Sequence, residues 1–279
     1  METIKLKING IEVTAPKGST ILEAARLAHI EIPTLCFLKE INEIGACRVC
    51  IVELKNGKLV TSCVYPAEDG MEVFTNTPKV MDSRKKTIQL LLSNHNRSCL
   101  SCVRSGHCEL QELARELGVE DEGYYDGETT PSEIDTSAAH MIRDNSKCIL
   151  CRRCVAVCSE VQGIGVIGAN NRGFATEIGS AFGMGLGETS CVSCGQCIAV
   201  CPTGALQEKD CTSEVFAAIA DPSKHVIVQT APAVRAALGE EFGLPIGTNV
   251  EGKMAAALRR LGFDRVFDTD FSADLTIME

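Results

Sequence analysis

Alternating apolar and polar residues open the chain. Between residues 3 and 8 every second residue is isoleucine or leucine, and this period of two predicts a half-buried strand. Asn9 and Gly10 follow, a pair that predicts a two-residue hairpin turn because both residue types tolerate positive φ. Residues 11–14 would then form the return strand.

The next signal along the chain is the start of a helix. Thr20 and Glu23 have the spacing of a capping box, in which each side chain accepts a hydrogen bond from the other residue's backbone N–H. This predicts a helix that runs to about Ala28. A hairpin followed by a helix is the beginning of a β-grasp domain.

Helical patterns return later in the chain. Apolar residues predict a helix within residues 79–93, and residues 109–117 are amphipathic up to Gly118, a helix-ending residue. Residues 120–136 are acidic and contain Gly and Pro, which favours a solvated linker over a docking surface for a basic partner.

The C-terminal part alternates between strand and helix patterns. Residues 225–229 predict a buried strand, residues 253–261 predict a helix ended by Gly262, and residues 265–268 predict the next strand. This β–α–β order is typical of an α/β domain.

The composition narrows the class of protein. At 279 residues the chain can form one large domain or two to three small ones. Aromatic residues make up only 4% and Trp is absent, which fits small modules better than one large hydrophobic core. The net charge of −10 argues against a nucleic-acid partner.

Because the N-terminus lacks a signal peptide and no apolar run reaches the roughly eighteen residues of a membrane span, we expect a cytoplasmic protein without membrane insertion.

All but one of the sixteen cysteines fall into three groups. The clearest group is a pair of C-x2-C-x2-C-x3-C runs that repeat in register. This is the ligand spacing of bacterial two-cluster ferredoxins, in which the fourth cysteine of each run binds the other cluster. We therefore expect two [4Fe–4S] clusters, one held by Cys148, Cys151, Cys154 and Cys201 and the other by Cys191, Cys194, Cys197 and Cys158.

Zinc and disulfides are the alternatives for closely spaced cysteines. A structural zinc site commonly uses two C-x2-C pairs, whereas these runs place three cysteines at equal steps and a fourth slightly later, which suits a cubane. Disulfides need an oxidising compartment, and the sequence gives no sign of export. Iron–sulfur clusters are the favoured interpretation.

The first cysteine group lies in the predicted β-grasp region. Its spacing differs from the plant-type C-x4-C-x2-C pattern, yet four thiolates around one loop suit a [2Fe–2S] cluster. Taken alone, the group leaves zinc as a fair competitor; upstream of two ferredoxin runs, the cluster is favoured. The expected ligands are Cys36, Cys47, Cys50 and Cys63.

The remaining group combines one histidine with three cysteines. A neutral imidazole in place of a thiolate makes a cluster less negative and raises its potential, as in Rieske centres. The alternative is water or another residue as fourth ligand, since three protein ligands are typical of an open site. The other four histidines are expected to be ordinary surface or core residues. The expected ligands of a third [4Fe–4S] cluster are His95, Cys99, Cys102 and Cys108.

The order of these modules resembles two known assemblies. One is the electron-input region of [FeFe] hydrogenases, including the NAD(P)-linked and electron-bifurcating kinds. The other is the large iron–sulfur subunit of respiratory complex I and of related NAD-linked formate dehydrogenases. The resemblance implies an α+β multidomain protein with a β-grasp [2Fe–2S] domain in residues 1–78, a small helical domain with the histidine-containing site in 79–119, an acidic linker in 120–138, a double [4Fe–4S] ferredoxin-like domain in 139–210 and the start of an α/β catalytic domain in 211–279.

The C-terminal segment separates the two assemblies. Residues 230–235, TAPAVR, and residues 268–276, DTDFSADLT, resemble the opening of the hydrogenase catalytic domain. By that resemblance the turn at Ala231 and Pro232 lines the active-site pocket and contacts its cofactor. The resemblance covers essentially the whole chain.

The ligands of the hydrogenase active site are absent from this sequence. In the family the six-iron H-cluster is held by four cysteines in motifs such as TSCCPGW and MACxGGC, and neither motif occurs here. We therefore expect no catalytic residue in this chain, and the H-cluster only in the missing domain of a longer protein. The remaining cysteine, Cys211, is expected to be a buried structural thiol.

The resemblance implies an electron relay. It would carry electrons between an NAD(P)H/flavin partner subunit or a ferredoxin and the H-cluster, where protons and H2 interconvert. The glycines within residues 183–187 lack the strand and helix of a dinucleotide-binding motif, so NAD(P)H and flavin would bind a partner in a hetero-oligomer. The alternatives are a relay subunit of an NAD-linked formate dehydrogenase or complex I-like oxidoreductase, and a zinc-bearing interaction protein.

Overall fold

The computed structural model describes residues 2–120 and 133–279. The chain divides into two compact units, one that ends at Lys209 and one that begins at Asp210. Most of the predicted linker, residues 121–132, lies outside the described residues. In the part of the chain that the structure describes, no helix is long and apolar enough to cross a membrane.

A five-stranded sheet opens the first unit. Its strands are β1 (Thr3–Ile8), β2 (Ile11–Pro16), β3 (Ile51–Leu54), β4 (Leu59–Thr61) and β5 (Glu72–Phe74). The strand order is β2-β1-β5-β3-β4, with β1 and β5 parallel and the other neighbours antiparallel. The predicted hairpin is confirmed, since Asn9 and Gly10 both have positive φ between β1 and β2.

Helix α1 (Ile21–Leu27) packs against this sheet. The predicted capping box is formed: the N–H of Glu23 donates to Thr20 Oγ1 at 3.2 Å, and the N–H of Thr20 donates to Glu23 Oε2 at 2.9 Å. Ile21 and Leu22 are fully buried in the core between the helix and the sheet. Burial of these two side chains stabilises the packing by about 1.5–3 kcal/mol each.

Two helices flank the histidine-containing segment. They are α2 (Pro78–Ser93) and α3 (Glu109–Glu116). The N-cap of α2 is Thr77, whose Oγ1 accepts a hydrogen bond from the N–H of Val80 at 3.2 Å. Ile88 of α2 belongs to a buried cluster that also includes apolar residues of α3 and of the first cysteine-rich loop. The first two cysteine groups are therefore held on a common packed core.

The ferredoxin-like part contains short strands and very short helices. The strands are β6 (Ile134–Asp135), β7 (Met141–Asp144), β8 (Gly168–Asn170), β9 (Glu177–Gly179) and β10 (Leu206–Glu208). Strands β10, β7 and β6 form one antiparallel sheet in that order, and β8 pairs with β9. Helix α4 (Arg153–Ala156) continues into a π-helical turn at Val157–Val161, and α5 is Gln196–Ala199.

The end of the predicted linker is folded. Strand β6 lies within it, and Asp135 of that strand forms an ion pair with Arg143 at 3.0 Å. Gly187 approaches so closely that a Cβ there would collide with the carbonyl of Ser137. The glycines in this region therefore allow the insert between the two cysteine runs to pack against the strand.

The second unit has the predicted β–α–β order. Its elements are α6 (Thr212–Ala220), β11 (Ile227–Thr230), α7 (Val234–Glu241), α8 (Glu251–Leu261), β12 (Arg265–Asp268) and α9 (Thr269–Met278). Strands β11 and β12 are parallel, and α8 ends at Gly262, which adopts φ of 109°.

Two expectations for the second unit are wrong. The strand β11 is only partly covered, and Ile227 is 60% exposed, because this strand pairs with β12 alone in a two-stranded sheet. Cys211 is exposed and not buried, because it stands at the N-cap of α6, a helix with no buried residue.

Candidate iron–sulfur cluster sites

The first cysteine group forms a buried set of thiols. Each of the four side chains is at most 6% exposed, and the sulfurs of Cys50 and Cys63 lie 3.2 Å apart. Cys50 directly precedes β3 and Cys63 lies two residues beyond β4, so the antiparallel pairing of these strands brings the two cysteines together. Cys36 and Cys47 lie on the loop that precedes β3.

The four thiols share protons. Hydrogen bonds from Cys47 and Cys63 hold the pKa of the Cys36 thiol far below its usual range, and the same bonds raise the pKa of both donors. The hydrogen bond from Cys63 likewise lowers the pKa of Cys50 to about 7. Metal binding releases such protons, because only thiolates act as ligands. A buried set of four exchangeable thiols fits a four-thiolate centre.

The histidine-containing group lies on the loop between α2 and α3. Burial raises the pKa of Cys108, and negative charge on Cys102 and Cys99 raises it further, which marks the three thiols as neighbours. At Gly204 a Cβ would lie 2.6 Å from Cys102 Sγ, so this glycine makes room for the thiol.

His95 is held as a neutral imidazole. Burial lowers its pKa, and the nearby charge of Lys147 lowers it further. Its Nδ1 is buried and has no hydrogen-bond partner among the described residues. A core histidine normally satisfies both ring nitrogens, whereas a metal-binding histidine must be neutral. The ring therefore fits the ligand interpretation better than that of an ordinary core residue.

The two ferredoxin runs line two separate cavities, and each cavity takes one cysteine from the other run. The first cavity is lined by Cys148, Cys151, Cys154 and Cys201. The second is lined by Cys158, Cys191, Cys194 and Cys197. These are the two sets that the sequence spacing predicts. The helix that begins at Arg153 carries Cys158 away from the first cavity and toward the second.

The backbone conformation of the two runs also repeats. Leu150 and Arg152 have φ near +60°, and Ser193 and Gly195 have the same sign at the matching positions of the second run. Left-handed residues that alternate with ordinary ones turn successive N–H groups toward one centre and create a site for an anion. The N–H of Leu150 lies 3.4 Å from Cys148 Sγ and donates to it. Negatively charged thiolate centres suit these loops.

Burial dominates the electrostatics of the first cavity. It raises the pKa of Cys148 to about 11 and that of Cys151 to about 12. The pKa of Cys154 also rises well above its usual value, because the side chain is buried and the three other cysteines of the cavity lie near it. Thiols of this kind ionise only with a compensating positive charge, which bound iron would supply.

Direct contacts join the three ligand regions. The buried side chain of Asn42 donates from Nδ2 to the carbonyl oxygen of Cys36 at 2.7 Å and to that of Cys151 at 3.0 Å. Cys108 Sγ lies 3.7 Å from the carbonyl oxygen of Pro202, which follows Cys201. The first cysteine group and the histidine-containing group therefore both contact the backbone of the first ferredoxin cavity. The role of Asn42 was not predicted, because its two partners are brought together only by the fold.

An ion pair strengthens the contact between the histidine-containing region and the first ferredoxin cavity. Arg153 of α4 is 6% exposed and binds Glu109 of α3, with 2.7 Å between Nη1 and Oε1. The N–H of Glu109 also donates to the carbonyl oxygen of Pro202 at 3.1 Å.

Among the described residues, no group of three or more His, Cys, Asp or Glu side chains is arranged around a single metal ion. That finding concerns single ions, whereas a cluster distributes its ligands over several irons.

In the second unit, Ala231 and Pro232 are exposed on the turn between β11 and α7. The side chain of Thr269 donates to the carbonyl oxygen of Thr230 at 2.8 Å, so the two segments that carry the hydrogenase resemblance meet at the carboxyl ends of parallel strands. This is the edge at which α/β sheets commonly bind ligands.

Four protein-family models match successive segments of the chain. Residues 1–78 match a 2Fe-2S iron-sulfur cluster binding domain, and residues 84–122 match the NADH-ubiquinone oxidoreductase-G iron-sulfur binding region. Residues 147–205 match a 4Fe-4S dicluster domain. Residues 224–279 match the C-terminal domain of the iron only hydrogenase large subunit.

Two individual relatives match essentially the whole chain. The chain is 52% identical to NADP-reducing hydrogenase subunit HndD of Solidesulfovibrio fructosivorans, over 100% of its own length and 48% of the relative. It is 40% identical to iron hydrogenase 1 of Clostridium pasteurianum, over 98% of this chain and 48% of that protein. The chain therefore spans about half the length of these two relatives.

A solved structure has a similar fold over most of the chain. It is a chain in the crystal structure of NAD+-reducing [NiFe]-hydrogenase in the H2-reduced state, with a TM-score of 0.69 and 31% sequence identity. The match covers 74% of the present chain and 87% of the other. The hydrogenase-domain match and the two relatives above show that this chain belongs to the iron-only hydrogenase family, of which it carries the iron–sulfur domains and the start of the C-terminal domain.

Proposed function

We propose that this chain is the electron relay of an NAD(P)-linked [FeFe] hydrogenase. The observation that carries the proposal is the pair of cysteine-lined cavities with exchanged ligands, to which both other ligand regions are joined by direct contacts. No acid, base or nucleophile is needed for such a role. In a relay the cofactors carry the electrons, and the protein sets their spacing, insulation and potential.

The proposal includes four clusters. One [2Fe–2S] cluster is assigned to the buried thiol set, two [4Fe–4S] clusters to the two cavities, and a third [4Fe–4S] cluster to the histidine-containing loop. Burial, shared protons and the unpartnered Nδ1 of His95 support these assignments. The proposed ligands are Cys36, Cys47, Cys50 and Cys63; His95, Cys99, Cys102 and Cys108; Cys148, Cys151, Cys154 and Cys201; and Cys191, Cys194, Cys197 and Cys158.

The proposed order of electron transfer follows from the contacts. Asn42 connects the [2Fe–2S] region to the first cavity, and Pro202 connects the histidine-containing region to the same cavity. Electrons from either input would thus converge there. Of the two cavities, only the second has an exposed cysteine, Cys194, which makes it the better candidate for the outlet.

The partners belong to the proposal as well. The name of the Solidesulfovibrio relative links it to NADP, and the present sequence has no dinucleotide-binding motif of its own. We therefore place NAD(P)H and flavin on a partner subunit of a cytoplasmic hetero-oligomer, with a ferredoxin as a further candidate. The turn at Ala231 and Pro232 would contact an H-cluster, which supplies the H2 chemistry.

A direct test separates the relay from the enzyme. The 279-residue chain, purified without oxygen, should be reduced by dithionite and should pass electrons to a dye, yet it should neither evolve nor oxidise H2. The reason is the ligand count, since only Cys211 is left over after four clusters are filled. Hydrogenase activity from this chain would contradict the ligand assignment, and failure to accept electrons would contradict the relay.

A further inference from the structure

Arg84 is a charged residue in an apolar position. Helix α2 buries Val80, Arg84 and Ile88, which stand four residues apart and form the stripe that packs on the rest of the unit. Arg84 is only 5% exposed. Where a sequence departs from the apolar pattern of a packed helix, the departing residue commonly serves the protein's function.

The polar contacts of Arg84 leave its charge uncompensated. Its Nη2 donates to the carbonyl oxygen of Ile51 at 2.7 Å, and its Nε has no hydrogen-bond partner in the described part of the chain. Glu109, Glu112 and Glu116 line the same cleft, but no described carboxylate lies within ion-pair distance of the guanidinium. A buried cation without an anionic partner is costly, so a compensating charge is expected nearby.

One source of such a compensating charge is the first cysteine group. Ile51, which accepts the hydrogen bond, directly follows Cys50 in the chain. Burial lowers the pKa of Arg84 to about 10, and negative charge on Cys50 opposes that fall, so the guanidinium stays protonated at neutral pH beside this thiol. A [2Fe–2S] centre with four thiolates is negatively charged, and reduction adds one more negative charge.

We propose that Arg84 is the buried counter-charge of the cluster held by Cys36, Cys47, Cys50 and Cys63, and that it raises the reduction potential of that cluster. The inference rests on the [2Fe–2S] assignment of the proposed function. A fixed positive charge stabilises the reduced state more than the oxidised state, because the reduced state is more negative. Low solvent exposure keeps this interaction from being screened. Arg84 is thus a positioning and tuning residue, and it binds no iron itself.

The chain offers a matched control. Arg26 lines the same cleft and lies over the ring of Phe37, 4.8 Å from its centroid, directly after the ligand Cys36. Arg26 is exposed, so water and salt screen its charge. Replacement of Arg26 should therefore change the reduction potential of the cluster little, although it is the same residue type beside the same loop.

The test is an EPR redox titration of the [2Fe–2S] signal in the anaerobically purified full chain. Arg84→Gln retains a donor for the Ile51 carbonyl but loses the charge, whereas Arg84→Lys retains the charge. At the potential where the unchanged protein is half reduced, Arg84→Gln should lower the ratio of reduced to oxidised [2Fe–2S] cluster by about tenfold. Arg84→Lys and Arg26→Gln should stay within about twofold, and the [4Fe–4S] signals should shift less than the [2Fe–2S] signal in every variant.

Each other outcome has a defined meaning. An unshifted Arg84→Gln, or equal shifts in Arg84→Gln and Arg84→Lys, would overturn the inference. If Arg84→Gln loses the [2Fe–2S] iron while Arg84→Lys keeps it, the charge is needed to hold the cluster and the inference stands. If both variants lose it, Arg84 acts through packing and the inference fails. Absence of any [2Fe–2S] signal from the unchanged protein would instead contradict the proposed function.

Discussion

The two ferredoxin cavities have the same ligand spacing but different surroundings. The first cavity has two buried cysteines, Cys151 and Cys154, and it contacts both input regions. The second has no buried cysteine, and Cys194 is exposed. Spacing along the chain therefore sets which residues can bind a cluster, while tertiary packing sets how far that cluster is insulated. We propose that the first cavity, called the inner cavity below, receives electrons within the protein and that the second, the outer cavity, passes them on.

The largest predicted effects come from the exchanged cysteines. Cys158→Ala should abolish the same EPR signal as Cys191→Ala, and Cys201→Ala should abolish the same signal as Cys148→Ala, each with loss of about four irons. The reason is that each cavity takes its fourth cysteine from the other run. Cys211→Ala is the control and should lose no iron.

EPR and iron analysis of the single variants would check this exchange. If Cys158→Ala removed the signal that Cys148→Ala removes, each run would bind its own cluster. The difference between an inner and an outer cavity would then lose its basis.

The next effect concerns the histidine-containing site. His95→Ala should lose one cluster's iron, whereas His95→Cys should keep a [4Fe–4S] cluster at a lower potential, because the added thiolate contributes negative charge. The exposed His107, on the same loop, is the matched control for replacement by alanine. Iron content and a redox titration are the measurements. An unchanged spectrum and iron count in His95→Ala would dismiss this residue as a ligand.

A smaller effect is expected where the first cysteine group meets the inner cavity. Asn42→Leu removes two hydrogen bonds and leaves the carbonyl oxygens of Cys36 and Cys151 without their donor, which should cost about 1–3 kcal/mol of stability. Rapid-reduction kinetics should show slower electron transfer from the [2Fe–2S] cluster to the inner cavity. Asn56→Leu, at an exposed turn position where Asn56 Oδ1 accepts a hydrogen bond from the N–H of Lys58 at 3.0 Å, also loses a side-chain hydrogen bond but should leave the transfer rate unchanged. Equal transfer rates in the two variants would argue against the Asn42 connection.

The last predicted effects, of opposite sign, come from a pair of glycines. Gly204→Ala places a Cβ against Cys102 Sγ, so it should destabilise the chain by about 1–3 kcal/mol and perturb the EPR signal of the histidine-containing site. Gly252→Ala, on α8 with open space around it, should stabilise the protein by about 0.5–1 kcal/mol. Denaturation curves of both variants check the opposite signs, and a stable Gly204→Ala with an unchanged signal would contradict the close approach.

Local patterns predicted much of the fold. The first hairpin, the capping box of Thr20 and Glu23 and the stop at Gly262 depend on neighbouring residues, and all three are present. The spacing of each cysteine run is local information as well, and the structure places Cys158 and Cys201 each in the cavity of the other run, while their ligation of clusters stays a prediction.

Features that depend on distant residues were missed or wrong. The strands β3, β4 and β5 have only three or four residues each, too few for a clear period. Asn42 and Arg84 gain their roles from partners elsewhere in the chain. The exposure of Cys211 and Ile227 depends on which elements cover them, and apolar character alone does not determine this.

The most direct test of the relay is the metal content of the chain, measured with its EPR spectrum after stepwise reduction. We predict about 14 irons and about 14 acid-labile sulfides per chain, in one [2Fe–2S] and three [4Fe–4S] signals with separate potentials. Stoichiometric zinc in place of iron, or only the roughly eight irons of the two cavities, would contradict the account.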